Sequence, residues 1–140
     1  MLSLNSIDEL KNYIGKTTGT SPWIDVTQKR INEFAEVTED FNWIHIDEDK
    51  AKEGPFGSTI AHGFLTLSLA PWMGYNTYKV KNIAHSVNYG LDRVRFLSPV
   101  KAGSKVRGSY KLLEVQEFKG NGYRVKNELT ILISSSGSSK

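Results

Sequence analysis

No cysteine occurs among the 140 residues. That removes a disulfide framework and any thiolate zinc site, and it fits a reducing compartment. No apolar run approaches the ~20 residues that a membrane-spanning helix needs. The N-terminus, MLSLNSIDELKNY, lacks the basic start and apolar stretch of a secretory signal, so a cytoplasmic location is the default expectation. Internal repeats are absent, and no nucleic-acid-binding motif is present. The stretch around Asp47 and Asp49 lacks a calcium-loop pattern; the plainer reading is a helix cap and solvated acids, and no metal site is expected. What is left is an ordinary globular composition, 39% hydrophobic and 24% charged. Such a chain is expected to form one domain over residues 1–140, with a core that needs no covalent or metal staple.

Charge is modest in sum, at +3, but uneven along the chain. Residues 1–60 carry 6 Lys/Arg against 11 Asp/Glu, and residues 61–140 carry 12 against 4. The later basic residues stand singly on alternating segments. That pattern fits a solvated face first and attraction to a phosphorylated small ligand second, ahead of nucleic acid. Arg93 and Arg95, two apart and so on one face of a strand, read first as a plain exposed strand face and second as the candidates for phosphate contacts.

Periodicity predicts a helix over 28–37. Thr27 is its N-cap, Val26 and Ile31 form a hydrophobic staple, and Ile31, Phe34 and Ala35 share one face. Residues 17–25 read as extended. Residues 38–59 read as irregular, with a short helix near 47–52 that Gly54-Pro55 would stop. IAHGFLTLSLAPWMG, residues 60–74, is apolar on nearly every side and reads as a buried helix, ended or kinked at Pro71. Trp43, Trp72 and Tyr75 read as packing residues first and as the lining of an apolar tunnel second. Three strands are then expected, over 83–97, 104–117 and 122–133, with a turn at Pro99–Gly103 and a hairpin at Gly120-Asn121-Gly122. The order predicts an α+β architecture, an antiparallel sheet wrapped around a central helix.

Two short stretches carry chemistry. In TEDFNWIHID, residues 38–47, Asp40 and His45 are a carboxylate and an imidazole able to hold one water and move its proton. Taken alone, that spacing favours the plainer reading of a turn aspartate and a packed histidine. In AHGF, residues 61–64, Gly63 at a helix start offers an unpaired N–H to a ligand oxygen. Its plainer reading is a packing glycine beside a structural His62.

TEDFNWIHID, then PFGSTIAHGFLTLSL, then NYGLDRVRFLSPVKAGSKVR resemble the successive motifs of the MaoC-like dehydratases, among them nodulation-protein-N-like acyl dehydratases and R-specific enoyl-CoA hydratases. The similarity runs from about Thr27 to about Ile133. It implies a hotdog fold and hydration of trans-2-enoyl-CoA to (R)-3-hydroxyacyl-CoA. Asp40 and His45 would be the catalytic pair, Asn42 would hold the site's hydrogen bonds, and the Gly63 N–H would bind the thioester oxygen. It implies no cofactor, since the CoA or carrier-protein thioester is the substrate. It also implies a homodimer, because the family's sites lie in tunnels near a subunit interface. Which of Asp40 and His45 is the base stays open at this point. Two departures stand out. Many relatives have proline where Trp43 stands here, and they continue through a further strand where this chain ends in SSSGSSK. A missing last strand and a flexible tail are therefore expected. Rival readings are a hotdog thioesterase, recognised by thiol release from saturated acyl-CoA, and a non-catalytic acyl-CoA-binding module, recognised by binding without turnover.

Overall fold

The structure is a computed structural model, and it describes residues 1–134. The serine-rich tail and the question of a last strand fall on residues beyond these. In chain order the elements are β1 (Leu2–Leu4), α1 (Ile7–Lys11), β2 (Thr17–Thr20), β3 (Ile24–Val26), α2 (Gln28–Thr38), α3 (Trp43–Ile46), α4 (Glu48–Lys52), α5 (Gly63–Ser68), α6 (Ala70–Tyr75), β4 (Tyr78–Val80), β5 (Ser104–Phe118) and β6 (Gly122–Ser134). The chain divides into two compact units. One comprises residues 1–22, 71–94 and 108–131; the other comprises 23–70, 95–107 and the residues from 132.

In the first unit, β1 pairs in parallel with β4, from Leu2↔Tyr78 to Leu4↔Val80. Leu4, Leu10 and Leu112 form a buried cluster that Ile7, Tyr13, Tyr78, Val115 and Val125 extend. β2 runs antiparallel to β5, with a register shift between Thr17 and Gly19. β6 pairs with β5 across a tight turn. Gly120 (φ 64°) and Asn121 (φ 63°) both take the left-handed conformation, and the Gly122 N–H donates to the Lys119 carbonyl at 3.3 Å. That is the turn type whose twist suits a two-residue hairpin. Helix α6 comes so close to β5 that a Cβ on Gly108 would lie 2.8 Å from Met73 Sδ, so a side chain at this strand position would force its neighbours to shift. Burial beside Tyr78 pushes the Tyr110 hydroxyl up to about 12.

In the second unit, β3 runs antiparallel to the start of β5, from Ile24↔Val106 to Val26↔Ser104. Thr27 Oγ1 accepts the Arg30 N–H at 3.1 Å and caps α2, which buries Ile31 and Ala35. Asp47 Oδ1 accepts the Lys50 N–H and caps α4. The stretch ahead of α5 is pinned in extended form: the Ala61 N–H donates to the Val100 carbonyl at 2.7 Å, and the Ala102 N–H to the Thr59 carbonyl at 3.0 Å.

The helix predicted over 28–37, the one near 47–52 and the last two strands stand within two residues of their expected bounds. Three regions differ. The expected helix over 60–74 starts only at Gly63, because residues 60 and 61 are held by backbone bonds to the 99–103 turn. It then breaks after Ser68, because Pro71 has no N–H to donate and its ring crowds the preceding turn. Burial within α5 is one-sided: Leu65 and Thr66 are buried, while Phe64 is exposed. Short elements at β1, α1, α3 and β4 escaped the periodicity reading, being too brief for a pattern to register. The largest correction is the strand expected over 83–97, which has no regular secondary structure. Its apolar positions face outward: Val87 is 77% exposed, Tyr89 68% and Leu91 66%. Alternation marks a segment suited to a sheet, but a strand exists only where a neighbour accepts its hydrogen bonds.

Candidate active site

All the groups of this site belong to the second unit. Helix α2 ends at Glu39 in the left-handed conformation (φ 66°), and the chain turns out of the helix into Asp40. Asp40 Oδ1 accepts the Asn42 N–H at 3.3 Å, a local aspartate turn. Asn42 Oδ1 then accepts the Ile44 N–H at 3.2 Å and caps α3, the single turn that carries His45. The five-residue spacing is thus built by one turn and one cap, and Asn42 sits where both meet.

His45 is 7% exposed. Its Nδ1 lies 2.7 Å from the Ile60 carbonyl, which can only accept, so Nδ1 carries the proton and donates. Nε2 is left with its lone pair. The main chain at His45 is held too: Gln28 Nε2 donates to its carbonyl at 2.8 Å, and Thr59 Oγ1 donates to Gln28 Oε1. Burial holds the imidazole below its ordinary value of 6.5. The bond to Ile60 works the other way, His62 adds to the lowering, and Asp40 opposes it.

His62 is 3% exposed and stacks on His45, with centroids 3.8 Å apart and planes at 25°. Its Nε2 donates to the Asp40 carbonyl at 3.0 Å and lies 4.0 Å from Asp40 Oδ2. The Asp40 carboxylate itself is half exposed, at 52%. One ligand atom each from Asp40, His45 and His62 lies within 4.8 Å of the others, close enough for one water to bond to Asp40 and His45 together. The same three groups make a poor metal chelate. Rings stacked at 25° keep their lone pairs in two nearly parallel planes, and Nδ1 of His45 and Nε2 of His62 are committed to carbonyls.

Gly63 follows His62 as the first residue of α5, so its N–H has no acceptor within the helix. Six residues make a short helix, and what it offers is this donor rather than a large dipole. The Phe96 ring rests on the glycine: a Cβ there would meet Phe96 Cδ2 at 2.7 Å.

The structure thus brings Asp40, Asn42, His45 and the His62–Gly63 peptide together. Arg93 and Arg95 are exposed, on the stretch without regular structure, and the cluster is built without them. Trp43 packs against its own neighbourhood: Lys50 Nζ lies 4.5 Å from its ring centre, and the ring closes on Gly54. Grooves lined by Glu117, Phe118 and Tyr123, and by Leu2, Asn5 and Tyr13, contain no histidine. Sequence reasoning missed Gln28 and Thr59, which hold the His45 main chain, and it set His62 aside as structural. One signal was at hand for His62: the chain has three histidines, and two of them lie in the two chemical motifs.

A family model described as "MaoC like domain" matches residues 9–131. The chain is 41% identical over 140 residues to 3-hydroxyacyl-thioester dehydratase Z of Mycobacterium tuberculosis, covering all of this chain and 91% of that one. It is 47% identical over 131 residues to nodulation protein N of Rhizobium leguminosarum bv. viciae, covering 91% and 81%. Among solved structures, a monoamine oxidase regulatory protein from Archaeoglobus fulgius aligns with TM-score 0.75 and 27% identity, covering 95% of this chain and 88% of that one. The fold is the hotdog fold, and with the family match spanning most of its length, the chain belongs to the MaoC-like dehydratase family.

Proposed function

We propose that this protein is an acyl-thioester hydratase/dehydratase that adds water to trans-2-enoyl-CoA to give (R)-3-hydroxyacyl-CoA, and runs the reverse dehydration with the same groups. The observation that carries this reading is one ligand atom each of Asp40, buried His45 and His62 within 4.8 Å of one another, with Gly63 next in the chain at the start of α5. The hand of the product follows from the family resemblance.

Because Nδ1 is committed to Ile60, His45 acts as the base through Nε2. It takes one proton from the water while Asp40 accepts the other O–H and orients the oxygen. The water oxygen bonds to C3, and the double-bond electrons move through C2 onto the thioester oxygen. The Gly63 N–H stabilises that oxyanion; loss of such a donor costs roughly 2.7–4 kcal/mol of barrier. The imidazolium then returns its proton to C2, and the enolate collapses to the thioester. No electrons change hands, so no redox cofactor is required, and CoA or a carrier's pantetheine enters as part of the substrate. The lowered pKa of His45 suits a base at neutral pH, because the free imidazole predominates there.

The chain is read as one catalytic domain that works as a homodimer in the cytoplasm, with Arg93 and Arg95 as the candidate contacts for CoA phosphates. No helix of the described residues is long and apolar enough to cross a membrane. The test is the loss of enoyl absorbance with crotonyl-CoA and with a longer enoyl-CoA, measured beside free-thiol release. Absorbance loss without thiol supports hydration. Thiol release from a saturated acyl-CoA would make the protein a thioesterase, and tight binding without turnover would make it a binding module.

A further inference from the structure

We propose that His62 is a positioning residue for the reaction, a side chain that touches both Asp40 and His45 and holds them relative to each other. The idea rests on the hydratase reading above, but its central measurement does not need turnover.

Three contacts carry it. The His62 ring lies flat against His45, at 3.8 Å and 25°, and so backs the imidazole whose edge is tied to Ile60. Its Nε2–H donates to the Asp40 carbonyl at 3.0 Å. That bond holds a residue which is otherwise half exposed, just past a helix end, and tied only by a local turn. The main chain of His62 is fixed in turn, because its carbonyl accepts the Leu65 and Thr66 N–H groups at 3.0 and 3.2 Å. One residue therefore spans from the first turn of α5 to both members of the acid–base pair, and the peptide that follows it carries the Gly63 N–H.

A fourth observation speaks against a purely structural histidine. His62 Nδ1 is buried and has no hydrogen-bond partner among the described residues. A buried nitrogen without a partner is a cost, and a phenyl ring would fill the same stack against His45 and Phe34 without it. Local rules broken in this way concentrate at functional sites. The Nε2–H bond to Asp40 is what phenylalanine would lose.

The titratable groups bearing on His45 are His62, which lowers its pKa, and Asp40, which raises it, with burial as the larger cause. Removing His62 both opens the ring to water and deletes the lowering contact, and both changes raise the His45 pKa. The experiment compares the full-length parent with His62→Ala and His62→Phe. It uses circular dichroism for fold, the pH dependence of crotonyl-CoA hydration, and NMR titration of the His45 ring protons. His62→Ala is expected to lose about 10²-fold in kcat with KM nearly unchanged, since misplacement of about an ångström has that effect. Its His45 titration is expected to move to higher pH. His62→Phe keeps the stack, so His45 titrates closer to its parental position, and kcat recovers part of the way, to about tenfold below the parent.

Parental kcat in a folded His62→Ala overturns the proposal. So does a loss of kcat with the His45 titration unmoved, which would mark a structural residue. If His62→Ala does not fold, His62→Phe decides: parental kcat in that variant overturns the Asp40 contact. If the parent hydrates no enoyl thioester, the function reading fails by itself, and the NMR titration still decides whether His62 controls His45.

Discussion

Two regions of this protein break the usual rule of burial in opposite directions. In the second unit, two histidines are nearly sealed from solvent. Along residues 83–97, Val87, Tyr89 and Leu91 stand in water. Buried polar groups and exposed apolar rows are the informative departures in a globular protein. Both histidines are held from within, by the carbonyls of Ile60 and Asp40 and by each other's faces, while His62 Nδ1 has no partner among the described residues. The exposed row has no packing of comparable extent among the described residues; the Tyr89 ring meets an edge of Phe118 at 5.2 Å and the Arg124 guanidinium at 5.7 Å. A group whose partners all lie in the same chain is complete as folded, whereas a period-two apolar face is complete only when paired.

The sharpest way to break this comparison is at the buried end. Asp40→Asn keeps shape and hydrogen bonding but cannot hold the charge that orients water, and His45→Ala removes the proton carrier. Each is expected to lower hydration of crotonyl-CoA by about 10³-fold or more, with circular dichroism unchanged. Because both act on one water, the double variant should be little worse than either single. A single variant that keeps more than about a hundredth of parental turnover removes that residue from the mechanism. Next in size is Gly63→Ala. The added methyl would collide with the Phe96 ring, so the ring or the peptide proposed to offer its N–H to the oxyanion must shift. The expected loss is about 10²-fold in kcat, and unaltered turnover would show that the N–H is not the donor.

The exposed end is tested by Leu91→Lys. If 83–97 pairs with a second copy, sedimentation should show the parent as a dimer at micromolar concentration and the variant shifted toward monomer. A parent that sediments as a clean monomer contradicts the pairing. A variant as dimeric as the parent places the contact elsewhere.

The difference between these regions also explains what could be read from sequence. The capped α2, the Asp47-capped α4 and the β5–β6 hairpin rest on local signals, and they stand within two residues of expectation. Asp40, Asn42 and His45 converge for a similarly local reason, a turn followed by a cap. The contacts of Gln28 to His45 and of His62 to Asp40 join residues 17 and 22 positions apart, and neither pattern nor spacing marks them. The missing strand over 83–97 is the reverse case. Its alternation was legible, but the partner that would turn alternation into a ladder was not. The helix at 60–74 was misjudged because apolar composition reports burial and not the backbone bonds of residues 60 and 61 that delay its start.

The smallest expected effect concerns stability, and it separates burial from reactivity at His45. Burial lowers the pKa of this imidazole in the folded protein from 6.5, while the unfolded chain keeps the ordinary value. Above that value neither state carries the proton, and His45 contributes no pH dependence. As the pH falls through 6.5, the unfolded chain binds a proton that the folded protein refuses, so the folded state loses ground. The loss levels off once the pH passes below the folded value. Stability should therefore fall between neutral pH and mildly acidic pH by a part that belongs to His45. Urea unfolding midpoints of the parent and of His45→Gln, measured at neutral pH and at about pH 5, isolate that part, because glutamine has no proton to bind there. The parent should lose more midpoint than the variant on acidification. Equal losses would mean that His45 titrates alike in both states, and that its seal against solvent, the property that sets it apart from the exposed row of 83–97, does not hold in solution.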